Sequence, residues 1–210
     1  MHAEPKSSAK SIYSVHPGVA MVQKWVADLP QKTGRSLEQW IELVKREGPA
    51  TEEKRREWLK KKHQLGTNSN WWIAERAEGK GGEDTDPEAY LRAAEGYVEA
   101  MFDGKKAGLR PLYHKLLRLS LSLAPDVKAC PGKTIVPLYR NHVFAQIKPT
   151  TNSRIDLGFA LGTRKTPKRL LNTGGHDKGD RITHRMEITK LSDIEDEVKR
   201  WLKTAYELDE

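Results

Sequence analysis

The residues best suited to chemistry lie in the second half of the chain, where the apolar pattern has a period of two. Alternation assigns Val143, Ala145 and Ile147, with Leu157, Phe159 and Leu161, to one side of a sheet, joined by Met186 and Ile188. The other side then carries Tyr139, Phe144, Gln146, Lys148, Arg154, Asp156, Arg185 and Glu187. Two aromatic rings among amide and charged groups can stack on a flat ligand and hydrogen-bond its edge. The same residue types have a plainer use, because Arg–Asp and Arg–Glu pairs also cross-link solvated faces of antiparallel sheets.

A second group is the loop GTRKTPKRLLNTGGHDKGDR. Arg164, Lys165, Lys168 and Arg169 fall within six residues, followed by Lys178 and Arg181. Glycines let backbone N–H groups approach phosphate oxygens, and arginine offers a two-pronged donor. The GxxxxGK[ST] spacing of a P-loop is absent, so a solvated cationic loop is the competing reading. His176 lies near Asp177 and Asp180, and His142 and His184 could face each other across strands, but neither spacing matches a metal-ligand motif. No metal and no cofactor is therefore expected. No GxSxG surrounds a serine, and Cys130, before Pro131-Gly132, has only Lys133 as a local basic neighbour. Catalytic residues are not assigned, and enzymatic activity is left open.

These groups must be positioned by elements that the hydrophobic period reveals. In the first half the period is helical. Pro17 opens a helix with Val19, Val22, Trp25 and Val26 on its apolar side, and Pro30 and Gly34 are expected to close it. Ser36 and Gln39 form a capping box before the stripe Leu37, Trp40, Ile41, Val44. Thr51 is a suitable N-cap for a third helix ending near His63, with Gly66 as its closing residue. A fourth spans about Ser69 to Glu78. The stretch GKGGEDTDP, residues 79–87, reads as a linker.

Beyond it, helices are expected from Pro87 to about Phe102 and from about Pro111 to Ala124. Strands follow at Thr134–Arg140, His142–Lys148, Arg154–Leu161 and Thr183–Thr189, with Pro137 marking an edge or a bulge. Ser192 opens a last helix with the stripe Ile194, Val198, Trp201, Leu202, Ala205, in which Trp201 is the expected anchor. The fold class is α+β: a small N-terminal helical bundle, about 12–79, then an antiparallel sheet with helices on one face, about 86–208.

Composition narrows the partners. The 210 residues carry 37 Lys+Arg against 29 Asp+Glu, a net charge of +8. The excess is local, since residues 95–190 hold 18 basic and 8 acidic side chains. An anionic partner is expected, nucleic acid first. No apolar run approaches the ~18 residues that a membrane span needs. The first ten residues lack an apolar signal core, and one cysteine leaves no partner for a disulfide within the chain, so a cytoplasmic setting is expected.

Two resemblances cover most of the chain. SVHPGVAMVQKWVADLPQKTGRSLEQW, GPAT and WLKKKHQLGTNSNWW resemble an uncharacterised bacterial helical domain over roughly residues 12–78. Tyr139-Arg140-Asn141, RIDLGFALG, DRITHRMEIT and DIEDEVKRWLKTAY are similar to a second uncharacterised family, of the YdhG-like, broadly frataxin-like group, over roughly residues 90–207. That resemblance implies helices on one face of an antiparallel sheet and transfers no catalytic role. The expected function is a non-enzymatic binding module for an anionic ligand, carried by the sheet face and the 164–185 cations. A small-metabolite pocket with undetected activity is the alternative, and the frataxin-like resemblance adds a metal chaperone. These readings differ in charge geometry: nucleic acid needs a long basic stripe, a metabolite a pocket, iron a group of acids.

Overall fold

The computed structural model describes residues 11–210. The first ten residues, noted above for lacking an apolar signal core, fall outside them. Contacts divide the chain into two compact units, residues 15–92 and residues 93–210 with 11–14. The N-terminal unit is helical, and the C-terminal unit carries a six-stranded antiparallel sheet, so the fold is α+β.

The helical unit contains α1 (Pro17–Thr33), α2 (Leu37–Glu47), α3 (Glu52–His63) and α4 (Thr67–Ala77). Helix α1 runs through Pro30 and stops three residues later, where Gly34 takes a left-handed φ of 76° and its N–H bonds the Pro30 carbonyl. The Ser36–Gln39 capping box forms in full. At the end of α3 the left-handed residue is Gln64, φ 54°, whereas Gly66 is the N-cap of α4 and not the closing residue of α3. Leu29, Trp40, Val44, Leu59 and Ile73 fill the core. The Trp40 indole N–H donates to the Thr33 hydroxyl at 2.8 Å. His63 packs edge-on between Trp58 and Trp40, with ring centroids 4.5 and 5.2 Å away.

The glycine-rich stretch after α4 is ordered by its own contacts. Gly82–Asp84 form a 3₁₀ turn, Lys80 N–H bonds the Glu75 carbonyl, and Gln23 of α1 donates to the Thr85 carbonyl at 2.8 Å. Helix α5 (Pro87–Met101) follows, and the division between the units falls inside it, between Arg92 and Ala93.

In the second unit α6 (Arg110–Leu121) leads to β1 (Lys128–Ala129), β2 (Val136–Tyr139), β3 (Val143–Pro149), β4 (Ile155–Phe159), β5 (Leu171–Asn172) and β6 (His184–Ile188). Helix α7 (Asp196–Glu207) ends the unit. The strand order is β1-β2-β3-β4-β6-β5. The pairs Ala145–Phe159, Ile147–Leu157, Leu157–Met186 and Ile155–Ile188 place the expected apolar set together, buried under Leu116 and Leu117 of α6 and Val198, Leu202 and Ala205 of α7. Strands β1 and β5 have two residues each, too short for a period to register.

Phe144 is not on the open face. Leu138 pairs with Ala145 but Tyr139 pairs with Val143, so β3 has one extra residue at this point. This bulge breaks the alternation and turns Phe144 into the core, fully buried and edge-on to Tyr206 of α7 at 5.7 Å. Trp201 packs against the core as expected but is only partly buried, beside the buried Val198, Leu202 and Ala205. The helix starts later than Ser192 because Asp193 closes a separate 3₁₀ turn, accepting from Thr189 N–H at 2.8 Å and Lys190 N–H at 3.1 Å. Burial by itself would raise the Asp193 carboxyl, but these bonds hold it below the usual range.

The last ordered turn ties the unit together. The Asp209 side chain is 1% exposed. Its carboxylate accepts from the His142 backbone N–H at 2.7 Å and from the Arg181 guanidinium at 2.6 Å. The Asn141 amide donates to the Asp209 carbonyl at 3.0 Å. Asp209→Ala should cost about 1.5–3 kcal/mol in chemical denaturation, because a charged acceptor is lost and the His142 N–H is orphaned. Asp209→Asn, which keeps an acceptor, should cost less.

The imidazole of His63 is pushed below its ordinary value by burial, with Lys62 and Arg35 adding to the effect. Burial also lowers His16 and His184. A lowered folded value means that the unfolded chain takes up the proton first. Stability should therefore be full above about pH 6.5 and fall as the pH drops below it. Replacing His63 by Gln should flatten part of that slope, read by tryptophan emission in denaturant titrations at pH 7.5 and 5.5.

Candidate anion-binding cleft

The open face of the sheet is organised around Asp156. Arg154 lies 2.9 Å from Asp156 and 3.0 Å from Glu187. Arg185 lies 3.0 Å from Asp156 and 2.7 Å from Glu187. The Thr150 hydroxyl donates to the second Asp156 oxygen at 2.8 Å. The Arg185 guanidinium holds the Glu187 carboxyl below its usual range, and the two arginines and two acids cancel in charge. Beside them, Gly158 sits opposite Gln146, and a Cβ there would lie 2.7 Å from Ile182 Cγ2 and 3.0 Å from Gln146 Cγ. Ile182 therefore lies over the sheet at Gly158 and Gln146. Tyr139 is half-buried at the end of β2, and burial pushes its phenol up.

The expected basic loop divides. Arg169 turns back to the start of α7, pairing with Glu197 at 2.9 Å and Glu195 at 3.6 Å and donating to the Asp193 carbonyl. Arg164, Lys165 and Lys168 are exposed and make no ion pair among the described residues. They follow β4, whose Phe159 end pairs with Ala145, whereas Lys148 lies toward the Pro149–Ile155 end. The loop leads on to β5 at the edge of the sheet, with β4 and β6 between it and the strand of Lys148.

Lys148 enters a different group. With Lys105, Lys106 and Lys133 it lines a cleft of about 510 Å³. Lys105 and Lys106 come from the 3₁₀ segment Gly104–Leu109, Lys133 from the loop before β2, and Lys148 from β3. Lys106 Nζ donates to the Pro149 carbonyl at 2.7 Å, which fixes the 3₁₀ segment against the end of β3. Lys105, Lys133 and Lys148 are exposed and have no ion-pair partner among the described residues. Lys148 faces Asp156 in the register, but that carboxylate is occupied by two arginines and a threonine. The one acid of the lining, Asp103, accepts the Gly104 N–H at 2.7 Å. Thr134 and Asn152 add neutral polar groups, and the lining has no aromatic ring. Four lysines against a single carboxylate in the lining make this a site for negative charge.

Of the residues expected from sequence, then, Lys148 alone joins the cleft. The others are in the core (Phe144), in ion pairs (Arg154, Arg169, Arg185), under Ile182 (Gln146), half-buried (Tyr139) or on the exposed loop that leads to β5 (Arg164, Lys165, Lys168). Lys105 and Lys106 in GKKAG carry no motif in the sequence, and Lys133 in PGKT stands out only as a neighbour of Cys130. Among the described residues no three His, Cys, Asp or Glu side chains group to hold a metal. Burial pushes the Cys130 thiol up to about 12, too high for a thiolate at neutral pH. No helix among the described residues is long and apolar enough to cross a membrane.

The architecture is that of two joined domains, each of a kind without an assigned function. A family described as Domain of unknown function (DUF5655) matches residues 98–209, more than half of the chain, and the chain belongs to that family. A second, described as Domain of unknown function (DUF4287), matches residues 21–68. No curated protein and no solved structure matches the chain.

Proposed function

We propose that the protein is a non-enzymatic binding module for an anionic ligand, and that the ligand enters the lysine cleft of the C-terminal unit. A single observation carries this reading: Lys105, Lys133 and Lys148 converge on one cleft without acidic partners, while the arginines of the adjoining sheet face are neutralised. Nucleic acid is one occupant, through its phosphates, and a compact phosphorylated metabolite is the other. The confined cleft favours the compact ligand, because the loop cations Arg164, Lys165 and Lys168 do not line it. A bacterial, cytoplasmic setting and a YdhG-like kinship belong to the same reading, supported by sequence resemblance.

Displacing ordered counterions makes such binding salt-dependent. Fluorescence anisotropy of labelled single- and double-stranded oligonucleotides, with inorganic pyrophosphate as competitor, should show binding that weakens as salt rises from 50 to 200 mM. Replacing Lys105, Lys133 and Lys148 together by Gln should weaken it about tenfold or more, and replacing Arg164, Lys165 and Lys168 should have the smaller effect. Absence of binding by any of these anions at low salt overturns the proposal. So does binding unchanged in the cleft variant.

A further inference from the structure

Resting on the reading of the lysine cleft as an anion site, we infer that its ligand is an oligophosphate, a chain of two or more phosphoryl groups held by the phosphates alone. Three features of the lining specify this chemistry.

The first is charge. Four lysines and one acid, Asp103, line one cleft, an excess of three positive charges. A phosphate monoester brings about −1.5 to −2 at neutral pH, and a carboxylate brings −1. Matching three cations takes a chain of at least two phosphates.

The second is the type of cation. The lining holds lysines and no arginine, although Arg154 and Arg185 are close by on the sheet and are tied to Asp156 and Glu187. The planar fork of a guanidinium matches carboxylate and phosphate alike. Ammonium groups act as point charges, which suit the many equivalent oxygens of linked phosphates. Thr134 and Asn152 add neutral donors for those oxygens.

The third is what the cleft lacks. No aromatic ring lines it, so a base attached to the phosphates meets no aromatic face on which to stack. No basic track leaves it across the sheet, because the four charges around Asp156 cancel there. A volume of about 510 Å³ admits a small polyanion and falls within the usual range of small-molecule sites, about 300–1,000 Å³. The cleft therefore selects for the number of linked phosphates and is indifferent to the base.

Isothermal titration of the full chain tests this with orthophosphate, pyrophosphate, tripolyphosphate, ATP, GTP and a single-stranded 12-mer. Affinity should rise about tenfold or more from orthophosphate to tripolyphosphate, with ATP and GTP within about threefold of each other. The Lys105→Gln, Lys133→Gln, Lys148→Gln triple variant should lose about tenfold or more of tripolyphosphate affinity. Its unfolding midpoint without ligand should not fall, because the three side chains are exposed. Equal affinity for orthophosphate and tripolyphosphate overturns the inference. So does strong preference between ATP and GTP, or tripolyphosphate binding untouched by the triple variant. If the 12-mer binds through the lysines and tripolyphosphate does not bind, the anion site stands and the oligophosphate inference fails. If no anion binds, both fail.

Discussion

The carboxylate of Asp156 is the interaction on which the arrangement of the sheet face depends. It lies in β4 with β3 and β6 as its neighbours, and it receives Arg154, Arg185 and the Thr150 hydroxyl. Exposed ion pairs taken singly add little stability, but a shared, mostly buried acceptor couples its partners. Through Arg185 and Arg154 it also engages Glu187, so two strands and the β3–β4 turn are held in one charge-balanced group. Its saturation has a second effect: Lys148, opposite it in the register, is left with an uncompensated ammonium that joins Lys105 and Lys133.

The helical side of the sheet answers to a different constraint. One surplus residue in β3 changes the direction of a large side chain, and Phe144 becomes part of the floor on which α7 rests. The C-terminus of that helix is then fixed from both sides. Arg140 stacks on the Tyr206 ring at 4.5 Å and the Tyr206 hydroxyl donates to Asp126, while Asp209 receives His142 and Arg181. Residues Arg140 to His142 between β2 and β3 are thereby held by polar bonds to the end of α7.

Much of this was legible in the residues themselves. The switch from a helical to a two-residue period marks the change from helices to sheet, and the pairs Ile147–Leu157 and Leu157–Met186 lie where alternation puts them. The Ser36 capping box and the Arg–acid cross-links of the open face were readable because each rests on partners close in sequence or directly opposed in register. Phe144 was misplaced because a bulge adds a residue without leaving a local signature. The cleft was missed for a topological reason. Lys105, Lys133 and Lys148 come from segments far apart in the chain, and only the closed fold brings them together. The loop cations Arg164, Lys165 and Lys168 are close in sequence, but closeness in sequence does not reveal which strands a loop runs beside.

The converging lysines also carry a meaning for how the chain folds. Natural sequences tend toward mutually supportive contacts, and departures from that rule concentrate where selection acts on something other than stability. Like charges gathered by folding oppose it, by about 1 kcal/mol for a pair 4 Å apart in water and less at longer range. The sheet face a few residues away balances its own charges at Asp156, so the same fold has the means to neutralise and leaves it unused at the cleft. The cleft is thus a locally frustrated corner of an otherwise consistent domain. A counter-ion placed there would relieve the frustration and stabilise the native state against the unfolded one.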